Sequence, residues 1–429
     1  MRHVSLAVTV LSLVLFTGST HAADWLQFRG PGGLATGTDK NLPTEWSSTK
    51  NIDWKTELPG GGTSSPIILG KRLYITCYSG YGLDRDNPGD QTTLMRHVVC
   101  VDRASGKIVW QKPFTPAPGA ESKYQGNGAH HGYSTSTPTT DGERLYVFFG
   151  KSGVYCLNLD DGSEIWQASV GTKTTGWGSS NSPILFKDLL IINASIESSS
   201  IVALDSKTGK EVWNIGGIRG ARNTPTLVDV PDGQPELVVC VAKKILAFDP
   251  TNGKELWSCE GIPDKSYVCP SVIAHEGIVY AIGGRQNTAI AVKAGGRGDV
   301  TETHKLWETA KGSNVSSPVY HDGHIYWLHD SRGVVYCLNA TTGEVVYEER
   351  LSPRPGRHYS SVMVADGKIY AASQHGGAFV IAAQPEFKLI AHNVFKDDEA
   401  RTNAGPVPHN GQLLLRSDKF LYCIGKKAE

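Results

Sequence analysis

A chain of 429 residues with 42 Lys and Arg against 42 Asp and Glu carries no formal net charge. That excludes a nucleic-acid binder acting through bulk charge and an acidic disordered chain. With 39% hydrophobic and 20% charged residues the composition is globular, and 48 Gly, 10 Trp and 16 Tyr against 3 Met favour short strands and tight turns over helices.

The first element is an address. Arg2 and His3 precede the apolar run from Val4 to Phe16, followed by the small and polar stretch Thr17 to Ala23. This is the layout of a secretory signal peptide over residues 1–23, cleaved after Ala22 or Ala23. No later run approaches the length of about 18 apolar residues that a spanning helix needs. The mature chain, 24–429, is therefore expected to be a soluble, exported domain of the periplasm or exterior. The first cysteine is Cys77, so no lipid-accepting cysteine follows the signal and a lipoprotein is not expected.

A small polar residue before Pro and a β-branched strand then recurs along the chain. It reads Ser65-Pro66, Thr137-Pro138, Ser182-Pro183, Thr224-Pro225, Cys269-Pro270 and Ser317-Pro318, then Ser361-Val362 and Gly405-Pro406. Successive intervals are 72, 45, 42, 45, 48, 44 and 44 residues. Within each copy a turn such as Asp141-Gly142 or Asp366-Gly367 joins the first two strands. A third strand ends in Asp or Asn, and after a Gly turn a fourth carries a large aromatic: Trp110, Trp166, Trp213, Trp257, Trp307 or Tyr347. Four strands in about 45 residues, repeated radially, is a β-propeller blade. The fold class is all-β, an eight-bladed propeller of four-stranded antiparallel blades, with blades starting near 64, 136, 181, 223, 269, 316, 360 and 404. The last copy has three strands, and residues 51–58 around Trp54 supply the fourth, closing the ring. The aromatic motif decays over 384–395, which leaves seven blades as the alternative.

The run Ala203-Leu204-Asp205-Ser206-Lys207-Thr208-Gly209-Lys210-Glu211-Val212-Trp213 resembles the tryptophan-docking repeat of pyrroloquinoline-quinone (PQQ)-type propellers, with looser copies ending at residues 110, 166, 257 and 347. The resemblance covers nearly the whole mature chain. It implies the fold, and admits both quinoprotein dehydrogenases and non-catalytic propellers of the BamB type. The opening Asp24-Trp25-Leu26-Gln27-Phe28-Arg29-Gly30-Pro31 also looks like the start of many secreted bacterial proteins of this group.

Cys100, Cys156, Cys337 and Cys423 occupy one repeat position on different blades, too far apart for a bridge, and are expected as small buried groups beneath the aromatics. Cys259 and Cys269 flank one loop and could bridge. Asp84 to Asp90 begins like a calcium loop, but Pro88 and Met95 stand where ligands are needed, and His130-His131 lacks zinc-spaced partners, so no metal is expected.

In a propeller the connections between successive blades gather around one mouth of the central channel, where loops on a rigid scaffold carry binding. The candidate ligand residues there are His130, His131, Trp177, Arg219, Arg222, Lys265, Lys311, Arg357, His358 and Arg401; no catalytic residue stands out. The mouth connections hold six basic and two acidic residues, whereas the hairpin tips on the other face carry Asp141, Asp188, Asp232, Glu276, Asp322 and Asp366. Charge is thus sorted between faces, and the basic mouth suits a carboxylate, phosphate or sugar. Two functions remain. One is a non-catalytic exported scaffold, without cofactor, binding a protein partner or cell-envelope polymer and expected to be monomeric. The other is a PQQ- and calcium-dependent oxidoreductase of alcohols or sugars. Missing vicinal cysteines and a missing calcium-ligand set weigh against the second.

Overall fold

The computed structural model describes residues 24–119, 121–126, 128–231, 233–263 and 267–426. The expected signal peptide, and Asp232 and Lys265, lie outside these.

Eight sheets form the molecule, and the described residues hold only short helical turns besides. Blade 3 shows the plan: Ile184–Phe186, Leu189–Ala194, Ser200–Asp205 and Glu211–Gly216 pair in that order, antiparallel throughout. First strands of adjacent blades touch, so they form the inner wall of the ring, and fourth strands lie at the rim. Blade 8 consists of Val407–His409, Gln412–Arg416 and Phe420–Ile424, and Ile52–Glu57 adds the fourth strand with Trp54 opposite Cys423. Ring closure by the N-terminal strand is as expected, and eight blades replace the alternative of seven.

The repeat motif is explained by contacts between blades. Asp205 accepts hydrogen bonds from the Lys207 and Thr208 amides at 3.1 and 2.8 Å, turning the chain so that Gly209 adopts φ 71°. The Trp166 ring of the preceding blade lies on that turn: a Cβ at Gly209 would stand 2.6 Å from it. The Trp166 indole N–H donates to the Ser206 carbonyl at 3.1 Å, so the buried polar handle is satisfied. Trp54, Trp110, Trp213 and Trp307 repeat the arrangement on the turns of the blades that follow them, donating to the carbonyls of Arg103, Leu159, Pro250 and Ala340 at 2.9–3.2 Å. Cys100, Cys156, Cys337 and Cys423 lie opposite Trp110, Trp166, Tyr347 and Trp54, buried as expected and unbridged.

Two blades depart from the pattern. In blade 5 the turn is replaced by an insertion in which Gly298–Asp299 forms a fifth strand, parallel to Glu255–Glu260 of blade 4. Trp257 is consequently 0% exposed and donates to the Glu236 carboxylate at 2.6 Å. In blade 7 Tyr347 meets Phe387 edge-on, with ring centroids 5.7 Å apart, and its hydroxyl has no partner. Phe395 then continues the stacking onto Tyr422 of blade 8, at 4.0 Å.

The N-terminal segment before the closing strand runs as a strap across the hairpin face. Trp25 exchanges backbone hydrogen bonds with Ile68 of blade 1, and the Leu26 carbonyl accepts from the Thr140 amide of blade 2 at 3.0 Å. Arg29 reaches the Pro318 carbonyl of blade 6. Thr36 pairs parallel to Val364 of blade 7, and the Trp46 amide donates to Asn393 Oδ1 at 2.9 Å.

Candidate functional site

In blades 1 to 6 a serine or threonine precedes the first strand, and its hydroxyl joins neighbouring blades. The Ser65 amide donates to Thr137 Oγ1 and the Thr137 amide to Ser182 Oγ, both at 3.0 Å. The Ser182 amide donates to Thr224 Oγ1, Thr224 to Ser271 Oγ and Ser271 to Ser317 Oγ, at 3.0–3.1 Å. The Gly405 amide returns to Ser65 Oγ at 3.0 Å. The recurring small polar residue therefore forms a hydroxyl belt along the channel wall from blade 1 to blade 6, which the Gly405 amide of blade 8 joins. This corrects the fifth repeat: Ser271-Val272, not Cys269-Pro270, is its equivalent, because Ser271 bears the hydroxyl that meets blade 4.

Above the belt lies a cavity of about 940 Å³, open mouth included, lined by connections of all eight blades. Phe28 of the strap also lines it, so the channel has an aromatic floor. Trp177, Tyr267, Tyr359 and His131 provide aromatic walls. His131 stacks parallel to Trp177 at 6.2 Å, and Trp177 lies 6.0 Å from Tyr267. Burial, with the charge of Arg401, lowers the His131 pKa to about 4, so its imidazole is neutral at pH 7. Arg222 donates to the Gly178 carbonyl and Thr175 Oγ1, each at 2.9 Å, and its guanidinium carbon stands 5.8 Å from the centre of the Tyr267 ring. None of the described lining residues is Asp or Glu.

The insertion that lengthens the first repeat builds the roof. Tyr78, Tyr81, Leu94, Tyr124 and Ala129 pack into a small satellite core with Tyr133 against it. Arg96 and Lys151 flank Glu121 at 3.1 and 4.0 Å and fasten the loop to blades 1 and 2. The loop then reaches blades 7 and 8: Asn403 Nδ2 donates to the His130 carbonyl at 2.6 Å, and Arg401 to the Ala129 carbonyl.

Of the candidates read from the sequence, His131, Trp177 and Arg222 line this cavity. His130 stands beside them, 6.0 Å from Tyr359, its pKa lowered by burial and by Arg357, Arg85 and Arg401. The others are placed differently. Arg219 is exposed and Arg357 is exposed with Nη1 2.8 Å from the Tyr359 hydroxyl; neither lines the cavity. Lys311 pairs at 2.5 Å with Glu348 on the outer strand of blade 6, which draws it from the axis. Arg401 is buried in an ion pair with Asp418 at 2.7 Å, bracing the roof. His358 is 0% exposed, and burial lowers its pKa to about 3 against a weak opposing contact with the Ala372 backbone. Cys259 and Cys269 form no bridge: one is in the outer strand of blade 4, the other lines the axial cavity. Tyr267 and Tyr359 went unselected although they sit in the same connections, and nothing local in the sequence marks Phe28 as a floor.

Comparison with known proteins agrees with this architecture. A family model described as outer membrane protein assembly factor BamB matches residues 94–349. The outer membrane protein assembly factor BamB of Salmonella typhimurium strain LT2 is 28% identical over 123 residues, 28% of this chain and 31% of that protein. The match thus spans about a third of that relative's length. The crystal structure of BamB from Moraxella catarrhalis superposes with a TM-score of 0.61 at 14% identity, covering 88% of this chain and 98% of that one. A europium-containing methanol dehydrogenase gives 0.64 at 11% identity, covering 94% and 98%. At such identities the structural likeness is one of fold.

Proposed function

The chain belongs to the family described as outer membrane protein assembly factor BamB, and from that premise we propose that it is an exported, non-catalytic scaffold that binds a partner or ligand through the loop-face cavity. The observation that carries this reading is the cavity itself: floored by Phe28, roofed by the loops that hold Tyr81, Tyr124 and His130, and braced by the hydroxyl bonds between blades. A site held by eight rigid blades is preorganised, so little ordering opposes binding. Arg222 is its permanent cation among the described lining residues, which favours a ligand with negative charge. Export is supported by the basic and apolar start of the chain and by the membership just stated.

The quinoprotein alternative is tested by the donor set. Among the described residues no three His, Cys, Asp or Glu side chains come together to hold a metal ion. The described cavity wall offers one arginine and no carboxylate, a poor match for a tricarboxylate cofactor held beside calcium. The residues present do not fit that pair, and no redox step is derived through it.

A photo-crosslinking residue at Ser180, on the cavity rim, should capture a bound partner from the envelope fraction, whereas one at Glu143 on the opposite face should not. Equal capture from both positions would remove the loop face from the reading. Adding PQQ and calcium to purified protein should leave its absorbance unchanged and reduce no dye with alcohols; turnover would restore the enzyme reading.

A further inference from the structure

We propose that the loop-face cavity takes a planar aromatic ring bearing a single carboxylate. This deepens the binding reading above and rests on it. Trp177, Tyr267 and Tyr359 line the cavity over the Phe28 floor, giving a flat ring partners on several sides. Aromatic pairs add about 0.5–1.5 kcal/mol beyond simple burial in general, so such walls select for rings over aliphatic groups.

The charge is set by Arg222. Its hydrogen bonds go to neutral oxygens of Gly178 and Thr175, so its guanidinium is positioned without a neutralising carboxylate. Glu197 acts on it from beneath the 171–180 loop, but burial raises that carboxyl to about 7, which leaves it partly protonated at neutrality. Burial also lowers the pKa of Arg222 itself. A partly desolvated cation beside an aromatic-lined cavity is a site for one anion, and charge-assisted hydrogen bonds are the stronger kind.

The rest of the wall narrows the choice. Thr224 and Ser271 accept backbone N–H groups and keep their own protons to donate, so the belt offers hydroxyl donors to ligand oxygens. A sugar's hydroxyl protons would meet only neutral amide and hydroxyl oxygens such as those of Asn223 and Asn403, because the described wall has no carboxylate, the stronger acceptor. A phosphate dianion needs more positive charge than one arginine beside a neutral His131 supplies. An aromatic monocarboxylate matches the ring faces, the lone cation and the donors together.

The test is calorimetric titration of the intact mature protein with 4-hydroxybenzoate, 4-hydroxybenzamide, cyclohexanecarboxylate and inorganic phosphate. The aromatic acid should bind at least about tenfold more tightly than the amide, which lacks the charge, and than the other two. Arg222→Gln should abolish the acid-over-amide preference, and Trp177→Leu should weaken both aromatic compounds. The comparison of acid with amide uses the unaltered protein, so it decides even if a variant fails to fold. Equal affinity for acid and amide, or tighter binding of phosphate or cyclohexanecarboxylate, overturns the ligand class. Absent binding of the aromatic acid with persistent crosslinking from Ser180 also overturns the class and leaves the loop-face reading standing; loss of both overturns the two together.

Discussion

At the scale of single residues, the docking contact makes Gly209 and Trp166 one unit. Gly209 lies at φ 71° and has no room for a Cβ, so Gly209→Ala meets backbone strain and a clash together. A loss of roughly 2–4 kcal/mol is expected in urea unfolding; an unchanged midpoint would show that the ring does not need this turn. Glu197 gives a pH signature. Its folded-state pKa of about 7 lies above the ordinary 4.5, so the folded protein holds this proton more tightly than the unfolded chain does. Its contribution to stability is greatest below pH 4.5 and declines as pH rises to 7, by roughly 3 kcal/mol. Glu197→Gln is therefore expected to raise the melting temperature at pH 8 and to give no advantage near pH 4. His358 slopes the other way. Its pKa is depressed from 6.5 to about 3, so the stability it contributes is complete above pH 6.5 and is lost as pH falls toward 3. His358→Leu should flatten that acid limb in thermal melts.

At the scale of the element, the hydroxyl belt turns a repeated dipeptide into a joint between blades. Ser271→Ala removes the acceptor of the Thr224 amide and leaves a buried N–H unpaired, at a cost of about 1–3 kcal/mol, whereas Ser271→Thr keeps it. Equal destabilisation by both substitutions would argue against the joint. The strand grammar was legible because each blade repeats the same local turn chemistry: Asp205 to Trp213 writes out both the turn and the ring that docks on its neighbour. The fifth repeat misled because Cys269-Pro270 imitates the motif two residues before the hydroxyl that matters. The blade 5 insertion and the Phe28 floor escaped altogether, and of the roof the 72-residue first interval announces only an insertion at the mouth, not its contacts with Arg401 and Asn403. Each is defined by contacts between segments far apart in the chain, and no local period announces them. The candidate cations were misjudged for a related reason. Position in a connection puts a side chain on the right face, but pairing decides its direction, as Glu348 does for Lys311 and Asp418 for Arg401.

At the scale of the whole molecule, the ring depends on its first residues. Ile52–Glu57 completes blade 8, and the strap before it ties blades 1, 2, 6 and 7 across the hairpin face. Deleting residues 24–58 opens an edge on blade 8 and removes the floor of the cavity, so cooperative unfolding should give way to a broadened transition at lower temperature. A sharp transition like that of the parent would count against closure by this strand. The same arrangement imposes an order in time. Synthesis delivers Trp54 early and its partner Cys423 last, so the earliest part of the chain waits for nearly the whole remainder before it can be placed. Completion is thereby coupled to length: a product that stops short of Phe420–Ile424 has nothing for its first strand to join. Its unpaired edge distinguishes it from the finished ring, and a protease that attacks unpaired strands would clear the fragment and spare the full-length protein.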